Sequence, residues 1–163
     1  MKQTIIIISG HICSGKSTLS KILKNKIPDL VHLDILDYYK QYEEQIINGI
    51  DGRAILLYED LISSVFAQKN VCIEVHGDEE WLPSFIQQLR NTHLSIVQVQ
   101  LRRETEDLIQ KCVYEREGGE VEIHYGIEGY YQPLNSSAKE FKTTQYNIDA
   151  ISDEIMQEII IRG

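Results

Sequence analysis

The stretch Gly10-His11-Ile12-Cys13-Ser14-Gly15-Lys16-Ser17-Thr18 constrains this chain more than any other. It satisfies G-x-x-x-x-G-K-[ST] at every fixed position. Thr4-Ile5-Ile6-Ile7-Ile8 precedes it, a β-branched apolar run that reads as a strand buried on both faces. Leu19, Ile22, Leu23 and Ile27 follow at helical spacing and predict a helix with one buried stripe. Strand, glycine-bracketed loop and helix form the context that gives the motif a phosphate-binding meaning. Ordinary residue frequencies would produce the bare motif in a chain of this size on the order of once in two hundred tries.

The residue types match the chemistry. Gly10 and Gly15 let the backbone curl, so that successive N–H groups point inward and form an anion nest. The helix that starts near Lys16 adds its positive end. In such a loop Lys16 reaches the β- and γ-phosphates, Ser17 holds Mg²⁺ through its hydroxyl, and Thr18 donates to the α-phosphate. Cys13 and Ser14 contribute backbone amides. Gly10, Cys13, Ser14, Gly15, Lys16, Ser17 and Thr18 are therefore the expected nucleotide-binding residues.

Composition narrows the partners. The chain has 163 residues, enough for one domain with a single sizeable core. Its net charge of −9 gives it no broad basic face, which argues against a long polynucleotide substrate. Cys13, Cys72 and Cys112 form no C-x-x-C pair; Cys72 and Cys112 fall in expected core elements and Cys13 in the loop, as thiols of a cytoplasmic protein. No apolar run is long enough to cross a membrane.

Further along, Pro28 ends the first helix and Leu30–Asp34 reads as a second strand. Asp37–Asn48 is tyrosine-rich and ambiguous, a loop becoming a helix. Ala54–Gln68 is helical, Val71–Val75 a third strand, and a helix with Pro83 in its first turn follows. Leu94–Leu101 is a fourth strand, and a helix begins near Thr105. From Gly118 to Thr144 the periodicity is poor. Tyr146–Asp149 is expected as the fifth strand, with Ser152 and Asp153 capping a last helix. Alternating strands and helices imply an α/β chain with a parallel sheet covered on both faces and a ligand site at the carboxyl ends of its strands.

With these elements in order, the chain resembles the P-loop kinases of the nucleotide-kinase type. It looks most like the small single-domain kinases related to polynucleotide kinase, zeta toxin and chloramphenicol phosphotransferase. Gly10–Thr18 is similar to their phosphate loop, Leu33-Asp34 with Asp37-Tyr38-Tyr39 to their acidic second-strand end, and Val71–Gly77 with Glu79-Glu80-Trp81 to their third strand and following helix. Leu101 with the Asp107–Arg116 helix is similar to the arm leading into their lid. The resemblance implies a three-layer α/β/α P-loop NTPase fold, a five-stranded parallel sheet in the order 2-3-1-4-5, and one domain over residues 1–163 with a lid-like segment at about 117–145.

It also implies an ATP- and Mg²⁺-dependent kinase acting on a hydroxyl of a small molecule, as a monomer or homodimer. Asp34 or Asp37 would act on the acceptor hydroxyl. Glu74, an acid in an apolar strand, would serve with Ser17 at the metal, where the family more often has aspartate and where Asp78 is the rival. Arg116, ahead of Gly118-Gly119, would close on the transferring phosphate as a lid cation. A polynucleotide 5′-hydroxyl kinase is the alternative acceptor class. A nucleotide-dependent switch is the alternative of another kind, although the D-x-x-G and N-K-x-D motifs of switch GTPases are missing from the sequence.

Overall fold

The structure is a computed structural model, and it describes residues 2–11, 13–43, 45–47, 50–77, 79–103, 112, 138–144 and 147–162. In chain order the elements are β1 (Thr4–Ser9), α1 (Lys16–Lys26), β2 (Val31–Asp34), α2 (Ile35–Gln41), β3 (Ile46–Ile47), β4 (Ile50–Asp51), α3 (Gly52–Phe66), β5 (Val71–Val75), α4 (Leu82–Arg90), β6 (Ser95–Arg103), β7 (Lys139–Thr143) and α5 (Ile148–Arg162). The main sheet has five strands in the order β2-β5-β1-β6-β7. All four pairings are parallel. The β3–β4 hairpin, which the sequence reading did not anticipate, stands apart from it.

The isoleucine run of β1 explains the layering. Side chains alternate across a strand. Ile5 and Ile7 enter a core with Leu57 and Leu61 of α3 and Phe85, Ile86 and Leu89 of α4. Ile6 and Ile8 enter a second core with Leu19 and Leu23 of α1 and Ile151 and Ile155 of α5. Helices thus cover both faces, and β1 at the centre is fully buried. Each buried isoleucine contributes about 1.5–3 kcal/mol. Among the described residues no helix is long and apolar enough to cross a membrane.

Three expectations need correction. The fifth strand is Lys139–Thr143, not Tyr146–Asp149; Ile148 and Asp149 belong to the last helix. An edge strand exposes one side, so Lys-Glu-Phe-Lys-Thr carries charges where a central strand carries isoleucine. This strand also lies inside the range expected of the lid-like segment, whose residues 117–137 are outside the described residues. Ser152 and Asp153 do not cap α5. They lie within it and bind Lys26 of α1, with Nζ at 2.5 Å from Ser152 Oγ and 2.7 Å from Asp153 Oδ1. Finally, α2 begins directly after Asp34, and the hairpin takes up the rest of the stretch read as ambiguous. The helix expected after Thr105 lies outside the described residues except at Cys112.

Candidate active site

The carboxyl end of β1 runs into the glycine-bracketed loop. Gly10 has φ +152° and Gly15 has φ +98°, both in the region that disfavours side chains. A Cβ on Gly10 would collide with the Leu101 carbonyl oxygen and come within 2.6 Å of Ser14 Oγ. Gly15 immediately precedes α1, so the first amides of that helix open onto the loop.

Lys16 is buried at the first position of α1 and bends back over the loop. Its Nζ donates to Gly10 O at 2.5 Å and to His11 O at 3.0 Å. The Ser14 hydroxyl is fully buried with no protein partner among the described residues. Other contacts hold the loop from behind. His11 Nε2 accepts from Arg103 N at 3.1 Å, which places the imidazole proton on Nδ1. Thr143 Oγ1 donates to Ser14 O at 2.8 Å, tying the loop to β7. Gly10 N donates to His76 O at 3.1 Å, joining it to the exit of β5.

Glu74 sits in β5, buried, with its carboxylate divided between two partners. Ser17 Oγ donates to Oε2 at 3.0 Å, and Oε1 lies 2.6 Å from His32 Nε2. Burial pushes this carboxyl up. The hydrogen bonds with His32, Ser20 and Ser17 and the attraction of His32 together outweigh burial and leave it below the usual range. A buried acid costs little when it is paired in this way. One hydroxyl and one carboxylate form a hard oxygen set, suited to Mg²⁺ that keeps several waters and phosphate oxygens as its other ligands. Among the described residues no cluster of three or more His, Cys, Asp or Glu side chains could enclose a metal by itself.

Asp34 ends β2 in register with Glu74. One of its oxygens accepts from Leu36 N at 3.0 Å and caps α2. Burial pushes its carboxyl up; the Leu36 bond opposes this, and the charges of Glu74 and Asp37 add to the rise. Asp34 and Asp37 line one cavity of about 240 Å³ with His32, Tyr38 and Asp60. A larger cavity of about 450 Å³ lies against Tyr39, Asp51, Glu79 and Trp81. The structure thus brings Gly10, Ser14, Gly15, Lys16, Ser17 and Glu74 together, with Asp34 one strand away. Arg116 and Asp78 lie outside the described residues.

Cys13 departs from expectation. It is not a free thiol: it is disulfide-bonded to Cys112, 99 residues away, with Cα atoms 6.2 Å apart. Cys112, read from the sequence as a core residue, is partly exposed. Cys13 itself takes φ +61°, so the loop holds a non-glycine residue in a left-handed conformation. The sequence reading also missed His32, whose signal was its position two residues before Asp34, on the same face of β2.

No protein-family model matches the chain, and no curated protein matches it. Solved structures do. The tunicamycin resistance protein of Deinococcus radiodurans aligns over 97% of this chain and 96% of its own, with TM-score 0.69 and 14% identity. The APS kinase of Mycobacterium tuberculosis, solved with AMPPNP and APS, aligns over 96% of each chain with TM-score 0.64 and 14% identity. Shikimate kinase from Acinetobacter baumannii, solved with shikimate, aligns over 98% of this chain and 94% of its own, with TM-score 0.56 and 14% identity. This chain has the P-loop kinase fold. At such identities the likeness is one of fold alone.

Proposed function

We propose that the chain is an ATP- and Mg²⁺-dependent kinase that transfers the γ-phosphoryl group to a hydroxyl of a small molecule. The observation that carries this reading is the 3.0 Å hydrogen bond from Ser17 Oγ to the buried Glu74 carboxylate, at the start of the helix that also carries Lys16. It joins a phosphate loop to a metal-competent acid, the pairing that phosphoryl transfer requires. The relatives by fold solved with APS and with shikimate are kinases whose substrates are small molecules.

In this reading the loop amides and Lys16 hold the triphosphate, and the buried Ser14 hydroxyl turns to a phosphate oxygen. Ser17 and Glu74 would hold Mg²⁺, which neutralises charge on the phosphates when bound. Asp34, with Asp37 beside it, takes the proton of the acceptor hydroxyl. The freed oxygen attacks the γ-phosphorus, the bond to the bridging oxygen breaks, and ADP leaves. A carboxyl held above the ordinary range has basicity suited to that task. Arg116, just ahead of the lid-like segment, would supply positive charge to the transferring phosphate. Lys16→Ala should abolish acceptor-dependent ADP release, followed by a coupled assay; unchanged turnover in that variant overturns the proposal.

A further inference from the structure

The cavity of about 450 Å³ opens beside the exit of β5, where His76 O accepts from Gly10 N of the phosphate loop. Its walls come from α2 (Tyr39), the hairpin (Ile46 and Asp51) and the segment leading into α4 (Glu79, Glu80 and Trp81). A second cavity of about 180 Å³ shares Trp81 and Ser84 and adds Ala54, Tyr58 and Phe85. Trp81 and Phe85 meet edge to face at 5.5 Å, and Tyr58 and Phe85 at 5.6 Å. A site with an aromatic wall and an apolar annex suits a ring.

Charge gives the sign. Arg53 lies behind this wall, against Asp51 and Tyr39, and is already engaged. Its guanidinium grips Asp51 through Nε and Nη2 and lies 4.4 Å from the centre of the Tyr39 ring. The Asp51 charge is thereby answered. Glu79 turns both oxygens to the backbone, accepting from His76 N and Gly77 N at 2.7 Å each. Glu80 is exposed. The described lining therefore presents carboxylates next to an indole, and each favours a cation.

We propose that this cavity binds a positively charged, ring-bearing small molecule, an amine attached to a cyclic or aromatic alcohol. The proposal stands apart from the kinase reading, in which the acceptor hydroxyl meets Asp34 and Asp37 at the wall of a different cavity. The ligand's amine would face Glu80 and Trp81, and its ring would lie toward the annex.

The chain has one tryptophan, and Trp81 lines both this cavity and its annex, so its emission reports the two together. Tyramine, tyrosol and 4-hydroxyphenylacetate share one ring and differ in the charge of the arm. Titrated into the full chain with excitation at the red edge of the tryptophan band, tyramine should quench at a Kd at least about tenfold below that of 4-hydroxyphenylacetate, with tyrosol between them. Glu80→Gln, a change at an exposed position, should cut that advantage to about threefold or less. The proposal is overturned if the anion binds as tightly as the cation, if the three are indistinguishable, if none quenches, or if Glu80→Gln keeps the full advantage. No turnover enters this measurement. A protein that shows the charge preference yet releases no ADP with any acceptor sinks the kinase reading and leaves the cation site standing.

Discussion

His32 Nε2 lies 2.6 Å from Glu74 Oε1, and this contact fixes the carboxylate whose other oxygen receives Ser17. A histidine on an edge strand thereby steers an acid on the neighbouring strand toward the first turn of α1. The pairing also accounts for the burial of Glu74, since an uncompensated carboxylate would be costly at that depth.

Glu74→Leu should therefore do more than remove a metal ligand. It leaves His32 Nε2 without its partner at a half-buried site, at a cost of up to about 1–3 kcal/mol, while the exposed Ser17 hydroxyl turns to water. Denaturant unfolding should show the loss, and Glu74→Gln, whose amide oxygen can still accept from His32, should recover part of it. Both variants should need more Mg²⁺ for turnover. Equal Mg²⁺ requirements in wild type and Glu74→Gln would remove Glu74 from the metal site.

Asp34 carries the pH dependence of transfer. Its folded carboxyl lies above the ordinary value of 3.8, chiefly because it is buried. The ionised form is the proton acceptor, so kcat/KM should fall as pH drops through that raised value, at a higher pH than an ordinary aspartate would give. The sign for stability is the reverse: ionising this group in the folded state costs free energy, and acidification relieves the cost. Asp34→Asn should spare nucleotide binding and cut transfer by at least about a hundredfold. A pH–rate profile with an unshifted acid limb, or normal transfer by Asp34→Asn, would assign the base elsewhere.

Gly10→Ala tests the loop without touching a charge. The added Cβ meets a backbone oxygen, which cannot swing aside as a side chain can, at a φ of +152°. The loop must open, and the inward amides lose their common focus. ATP affinity measured by calorimetry should weaken at least about tenfold. Unchanged affinity would mean that the amides do not cradle the phosphates.

The central sheet and the loop were legible because each rested on a local signal. Ile5–Ile8, short and wholly β-branched, reads as a strand buried on both faces, and Gly10 and Gly15 bracket a turn with a stated function. The edge was not legible. Lys139–Thr143 pairs with β6 through its backbone, while its side chains read as solvent-exposed loop. Its Thr143, completely buried, bonds the phosphate loop at Ser14 O, a contact 129 residues apart in sequence that no local pattern encodes. The Glu74 pairing was half legible: an acid among apolar residues announces a partner, but the identity of that partner depends on the β2–β5 register. The Cys13–Cys112 bond belongs to the same class, because spacing alone gives no connectivity.

That disulfide gives the last prediction. It joins positions 99 apart in sequence, and for a loop of that length chain entropy alone predicts a stabilisation of about 4–5 kcal/mol. For a chain of this size that amounts to on the order of 10 °C in Tm. Cys72 does not complicate the test: it is buried, and burial pushes its thiol up to about 12, so it stays protonated and inert. Adding dithiothreitol should lower the Tm of the wild type toward that of Cys112→Ser, and the variant should not respond to reductant. Because Cys13 sits in the phosphate loop, saturating ATP should restore part of the lost stability in the reduced protein through binding to the folded state. A wild-type Tm that ignores reductant and matches that of Cys112→Ser would show that the bond does not constrain the chain in solution.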